Sequence, residues 1–340
     1  MTIDLRSDTV TKPTPAMLQA MMSAEVGDDV YGEDPTVNKL EAKCAALLGM
    51  DAGIFCPSGT MTNQVGIKTL TQPWEEVICY EGSHIYRYEG GGLAGNSGLS
   101  VRLIDAPRGK LRVGDIEANV NPGDQHFPRT ALVGLENTVN RAGGAVYRLS
   151  EIRPLSECAR RSGLRLYLDG ARLFNAIVAT GDEAREYGQY FDVISICLSK
   201  GLGAPVGSVL VCKKEFEMTA RRVRKVFGGA MRQAGYLAAA GVYALDHHIT
   251  RLKEDHRRAR VLGETLSGLP AVCRVMPVET NIVIFELEPA VTPAQLLEKL
   301  RASGIGAIQF GAREIRFVTH LDFTDDMLDQ TVKALKALRF

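Results

Sequence analysis

Apolar residues in this chain fall into two alternating patterns. Short, nearly continuous runs alternate with stretches in which apolar positions recur every three or four residues. Ala52–Cys56, Val77–Tyr80, Ala131–Leu135, Leu164–Leu168, Val193–Leu198 and Ser208–Cys212 are of the first kind and read as strands covered on both faces. A first helix begins at Thr14-Pro15, a cap followed by proline, and is expected to bury Met17, Leu18 and Met21. A second runs from Asp34-Pro35 through Val37, Leu40, Cys44 and Leu47 to a stop at Gly49. Thr60–Leu70 and Ile152–Arg161 are two more, the latter with Ile152, Leu155 and Cys158 on one face. Helices alternating with buried strands predict an α/β fold with a largely parallel sheet.

The pattern changes after Gly228-Gly229. Helical stretches at Arg232–Leu245 and Thr250–Leu266 lead into a strand at Asn281–Leu287, a helix at Pro293–Ala302, a strand at Glu314–Val318 and a helix at Asp325–Leu338. This reads as a small C-terminal α+β domain over 251–340, after a large domain over 1–250 whose first 15 residues form an arm.

Composition narrows the class. Forty basic residues balance 40 acidic ones, so no electrostatic footprint for nucleic acid or an anionic membrane is expected. No apolar run approaches a membrane-spanning length, and the start lacks a basic-then-apolar leader pattern. The seven cysteines form no CxxC pair and read as reduced core residues, not metal ligands. The expectation is a cytoplasmic protein with no metal.

Three candidate chemical signals fall at strand ends, where open α/β sheets bind ligands. Pro57-Ser58-Gly59-Thr60 is a small-residue turn into a helix, suited to a phosphate, although an ordinary capped helix start has the same sequence. Asp169-Gly170-Ala171-Arg172 follows a buried strand. Asp169 there needs a cationic partner, either the pyridinium of pyridoxal 5'-phosphate or Arg172 itself in a local ion pair. Arg172 would otherwise face a ring hydroxyl or a substrate carboxylate. Lys200 follows the Val193–Leu198 run and precedes Gly201. A lysine so placed suits an amine that forms a Schiff base with a carbonyl. Anchor, ring partner and amine together form the set that a pyridoxal phosphate enzyme needs. The basic run Arg221, Arg222, Arg224 and Lys225 reads as a solvated helix face, with a phosphate-facing member as the alternative.

The chain also resembles the low-specificity L-threonine aldolases nearly end to end. The resemblance rests on Leu5-Arg6-Ser7-Asp8-Thr9-Val10-Thr11, Asp28–Pro35, Pro57–Met61, Leu135-Glu136-Asn137-Thr138, Asp169–Asn175, Ser199–Ser208, Gly228–Gln233 and Arg316-Phe317-Val318-Thr319-His320. It implies the pyridoxal phosphate-dependent transferase fold of type I, with a seven-stranded-type sheet. Lys200 would carry the cofactor, Gly59 and Thr60 would hold its phosphate, and Asp169 its ring nitrogen. His84 would stack on the ring, Ser7, Arg172 and Arg316 would hold the substrate carboxylate, and His126 would lie near the substrate hydroxyl. Tyr31 and the segment around Lys225 and Arg232 would reach a neighbouring subunit's site in a homotetramer, a dimer of dimers. Either His84 or His126, or a water held by one of them, would take the hydroxyl proton. The implied reaction is cleavage of L-threonine or L-allo-threonine to glycine and acetaldehyde. A β-eliminating lyase or aminotransferase on the same fold is the alternative. The stretch after His84, Ile85–Gly91, would shape the pocket for the β-substituent.

Overall fold

The structure is a computed structural model describing residues 3–340, so the first two residues of the expected arm lie outside the described residues. The chain opens with a two-residue strand, β1 (Ile3–Asp4). The large sheet follows: β2 (Ala52–Cys56), β3 (Glu76–Tyr80), β4 (Ser100–Ile104), β5 (Thr130–Glu136), β6 (Arg165–Gly170), β7 (Val193–Cys197) and β8 (Ser208–Cys212). Their order across the sheet is β2-β8-β7-β6-β5-β3-β4. β8 runs antiparallel to both neighbours and every other pairing is parallel. Six strands therefore point the same way, and their carboxyl ends share one edge.

The continuous apolar runs arise because each strand is buried on both faces. Phe55, Ile78, Val133, Leu168 and Ile196 pack into the core on one side. Their neighbours Ile54, Val77, Leu132, Tyr167 and Leu210 pack into the core on the other. β4 is the strand the pattern hides. It lies at the sheet edge, and none of its five residues is buried, so it carries no apolar run.

Caps fix the helix starts. Thr14 Oγ1 accepts from the Met17 amide, Asp34 Oδ1 from Thr36 and Val37, and Ser58 Oγ from Met61. Met17 is fully buried as expected, but Leu18 is 48% exposed and Met21 only half-buried, a correction to the predicted buried face. Leu173–Thr180 is a further helix, short and starting at Arg172 without a side-chain cap, so no start signal marked it.

The remaining strands are β9 (Val272–Val275), β10 (Ile282–Leu287), β11 (Ile305–Gly306), β12 (Ile308–Gln309) and β13 (Glu314–Val318). Four of them form an antiparallel sheet in the order β12-β13-β10-β9. β11 instead pairs in parallel with β1. Ile3 and Leu5 share a core with Leu262, Phe285 and Phe317. The start of the chain is thus anchored in the C-terminal unit, and the next residues cross towards the large sheet. Six cysteines are buried and Cys273 is exposed; none is bonded to another.

Candidate active site

A cavity of about 400 Å³ opens between the arm, the carboxyl edge of the large sheet and the β12–β13 strands, lined by Ser7, His84, Arg172, Lys200 and Arg316 among others. These residues reach it from different directions. His84 follows β3, Arg172 follows β6 and Lys200 follows β7, all at carboxyl strand ends. Ser7 arrives on the crossing arm, and Arg316 from β13. A larger cavity of about 550 Å³ sits at the opposite strand ends. Its charges already pair among themselves, Arg129 with Glu75 and Lys213 with Asp192, and it contains none of the candidate residues.

Lys200 is half-buried, and among the described residues its amine takes part in no ion pair or hydrogen bond. Beside it stands a buried ion pair that the sequence reading missed. Arg172 donates to Asp8 through Nε at 2.8 Å and Nη2 at 2.7 Å. Asn281 adds a third donor to Asp8 at 3.2 Å. Burial opposes the Asp8 charge, but the Arg172 guanidinium outweighs it and holds the carboxyl well below the usual carboxylate range. Arg172 therefore pairs with Asp8 of the arm, not with Asp169 in a local pair. One of its three guanidinium nitrogens, Nη1, is left over.

Arg316 donates to Asn140 Oδ1 at 2.9 Å and to the Arg6 carbonyl at 3.0 Å. Its Nε is buried with no partner among the described residues. Burial, then the nearby Arg172 charge, pull Arg316 down to about 10, so it remains a cation at neutral pH. A buried, unsatisfied donor on a cation facing a cavity is the arrangement that an anionic ligand relieves.

Asp169 is buried beneath the helix Gly59–Leu70 because it shares a sheet face with Tyr167, two residues before it. Its oxygens accept from the Ala171 amide and from Asn63 Nδ2 at 2.9 Å. Asn63 also donates to Glu89 and accepts from the Tyr167 hydroxyl, both at 2.6 Å. Glu89 holds His84 Nδ1 at 2.9 Å. Burial disfavours the His84 cation, but the Glu89 hydrogen bond and the Asp169 charge outweigh it and raise the imidazole above its ordinary value. Ligand atoms of His84, Glu89 and Asp169 lie within 4.8 Å of one another, yet amide donors already occupy both carboxylates.

Glu136, at the end of β5, accepts from the His84 and Asn140 amides. Burial, then the Asp169 charge, push it up to about 7. Gly59 opens its helix against β7, and a Cβ there would sit 2.5 Å from Cys197 Sγ. Ser208 Oγ lies buried beside this turn with no partner among the described residues. Gly59 and the exposed Thr60 thus open a helix capped by Ser58 at its Met61 amide, with the Ser208 hydroxyl close by.

Two candidates lie elsewhere in the chain. His126 is exposed in the 121–129 loop and bonds Asp124 at 2.6 Å. Tyr31 is 74% exposed and lines a separate cavity with Arg222 and Lys225. The basic run is a solvated face only in part, at the exposed Arg222 and Lys225. Arg224 is buried, pairing with Asp29 at 3.0 Å and donating to the Phe55 carbonyl, and Arg221 pairs with Glu41. Three other histidines are tied into the fold: His248 to the Leu202 carbonyl, His256 to Asn175 and His320 to the Asp4 carbonyl. Asp8, Asn63, Glu89 and Glu136 were not singled out. Asp8 and Glu136 do stand in the motif runs Ser7-Asp8-Thr9 and Leu135-Glu136-Asn137.

A buried strand-end carboxylate, an unpaired strand-end lysine and two cavity-facing arginines define the class, and residues 4–290 match the family described as beta-eliminating lyase. The chain is 43% identical over 336 residues to the low specificity L-threonine aldolase of Escherichia coli, covering 98% of each chain. It is also 43% identical over 331 residues to a probable low-specificity L-threonine aldolase of Arabidopsis thaliana, covering 95% of this chain and 93% of that one. A threonine aldolase structure from Leishmania major has the same fold, with a TM-score of 0.85 over 98% of each chain at 24% identity. This chain belongs to the beta-eliminating lyase family, within its low-specificity L-threonine aldolase branch.

Proposed function

We propose that this chain cleaves L-threonine, L-allo-threonine and related β-hydroxy-α-amino acids to glycine and an aldehyde, with acetaldehyde released from threonine, using pyridoxal 5'-phosphate at Lys200. The observation that carries this reading is the convergence of Lys200, His84, Arg172 and Arg316 on one cavity. The residues present fit the cofactor: the helix start at Gly59, where no side chain can be added without meeting Cys197, the Ser208 hydroxyl and the buried Asp169 suit a phosphate and a ring nitrogen. No helix is long and apolar enough to cross a membrane among the described residues.

When bound, pyridoxal phosphate supplies a conjugated sink for the electron pair released as Cα–Cβ opens. The Lys200 amine holds it covalently, Gly59 and Thr60 hold its phosphate, and Asp169 keeps a proton on its ring nitrogen. Arg316, with its unpartnered Nε, grips the substrate carboxylate together with Ser7 and the remaining Nη1 of Arg172. That grip fixes rotation about Cα–N and so decides which Cα bond opens. His84 lines the cavity, and its Nε2, which has no hydrogen-bond partner among the described residues, takes the β-hydroxyl proton, directly or through a water. His126 acts in this reading only from a neighbouring copy.

The same reading makes the assembly a cytoplasmic homotetramer built from dimers. Exposed Val30, Tyr31 and Met218 support it, since they line one cavity and form an apolar surface for another copy to cover. Incubation with L-threonine tests the chemistry. Equimolar glycine and acetaldehyde are expected. Ammonia with 2-oxobutyrate would instead mark β-elimination, which the family name makes the sharpest rival, and amino transfer to a 2-oxo acid would mark an aminotransferase.

A further inference from the structure

Glu89 lies in the Gly-rich stretch after His84 and is fully buried at its side chain. Two amide donors and the His84 Nδ1 atom meet its two oxygens, Asn63 Nδ2 and His84 Nδ1 at Oε1 and Gln64 Nε2 at Oε2 at 2.6 Å; because an ionised carboxylate only accepts, Nδ1 is the third donor. Gln64 is itself fixed, because its Oε1 accepts from Asn96. A carboxylate serves all three donors, whereas an amide would turn its own NH₂ towards one of them. Buried carboxylates in this position beside an imidazole select its tautomer.

We propose that Glu89 is a positioning residue for His84. It holds the proton on Nδ1, leaves Nε2 as the acceptor, and makes that nitrogen a stronger base. The inference rests on the proposed cleavage only for its consequence in turnover. The geometry stands on Glu89, Asn63 and Gln64 alone. Asn63 extends it, since one NH₂ group bonds both Glu89 and Asp169. Its carbonyl is pinned by Tyr167. The amide therefore couples the carboxylate behind the histidine to the carboxylate meant for the cofactor ring.

Several other charges face His84, and the test must separate them. Asp169 favours the imidazolium and Lys200 opposes it. Glu136 bonds the His84 backbone amide, and the Tyr88 ring packs 5.5 Å from the imidazole. Arg141, Arg172 and Arg316 line the same cavity. Of these side chains, Glu89 alone bonds an imidazole nitrogen among the described residues.

The experiment is two-dimensional ¹H–¹⁵N NMR of the holoenzyme labelled at its six histidines, with His84 assigned by the signal missing from His84→Phe. Neutral His84 is expected as the Nδ1–H tautomer in the unmutated protein, a measurement that does not depend on Glu89→Gln folding. In Glu89→Gln its titration midpoint should fall by about one pH unit, tenfold in proton affinity, and the acid limb of kcat/KM should move down with it. An Nε2–H tautomer would overturn the assignment. So would an unmoved His84 titration in folded Glu89→Gln, even if activity fell. If the tautomer and shift hold but threonine yields no acetaldehyde, the proposed reaction fails and the positioning role stands.

Discussion

Breaking the Asp8–Arg172 pair should have a measurable cost in both stability and substrate binding. Both groups are almost wholly buried, with side-chain exposures of 0% and 6%. Two charge-assisted bonds and the Asn281 donor satisfy Asp8. Asp8→Ala leaves a guanidinium buried without its counter-charge, which typically costs about 3–5 kcal/mol. Arg172→Met strands the carboxylate in the same way. The double variant removes both charges, so its cost should fall short of the summed singles by roughly 2–3 kcal/mol. Urea unfolding of the cofactor-free protein, compared at equal m-values, measures all three. The pH dependence provides a second check. Because the folded Asp8 carboxyl is depressed, its contribution is complete above the ordinary value of 3.8 and is lost as pH falls below it. Asp8→Ala should therefore lose less stability on acidification than the unmutated protein. Asp8 is also the link that orients Arg172 beside the cavity, so KM for threonine should rise. Singles that add to within about 0.5 kcal/mol would refute the coupling.

Three further expectations follow from the same geometry. Gly59→Ala should weaken pyridoxal phosphate binding on the order of tenfold or more, since the new Cβ would meet Cys197 Sγ. Cys197→Ala in the same chain should restore much of it, as read by cofactor titration. Arg316→Lys should raise KM for threonine by about 10-fold or more with a smaller change in kcat, because the ammonium lacks the planar fork; an unchanged KM would remove Arg316 from the carboxylate grip. Glu136 is raised from 4.5 to about 7, so its contribution to folding is complete at acid pH and is lost as pH rises through neutrality. Glu136→Gln should flatten that decline by roughly 3 kcal/mol in the cofactor-free protein, and parallel stability curves for the two proteins would contradict it.

Much of the fold was legible because burial on both sheet faces leaves long apolar runs, as in Val193–Cys197 and Ser208–Cys212. The edge strand Ser100–Ile104 and the two-residue strands at Ile3, Ile305 and Ile308 carry too little such pattern. Lys200, Asp169 and Gly59 could be singled out as candidates because strand ends place chemistry locally. Asp8 could not, because its partner Arg172 is 164 residues away and the pairing depends on β1 docking in the C-terminal unit. Glu89 was hidden differently: a glutamate among glycines gives no sign that Asn63 and Gln64 will bury it. Arg224 shows the reverse failure, a member of a basic run drawn inside by Asp29 and the Phe55 carbonyl.

The most direct test is to supply the purified protein with pyridoxal phosphate, reduce it with borohydride and map the modified peptide. The expected result is one stable adduct on Lys200, with Lys200→Ala unlabelled and unable to form glycine and acetaldehyde from L-threonine. Labelling at another lysine, or undiminished cleavage by Lys200→Ala, would contradict it.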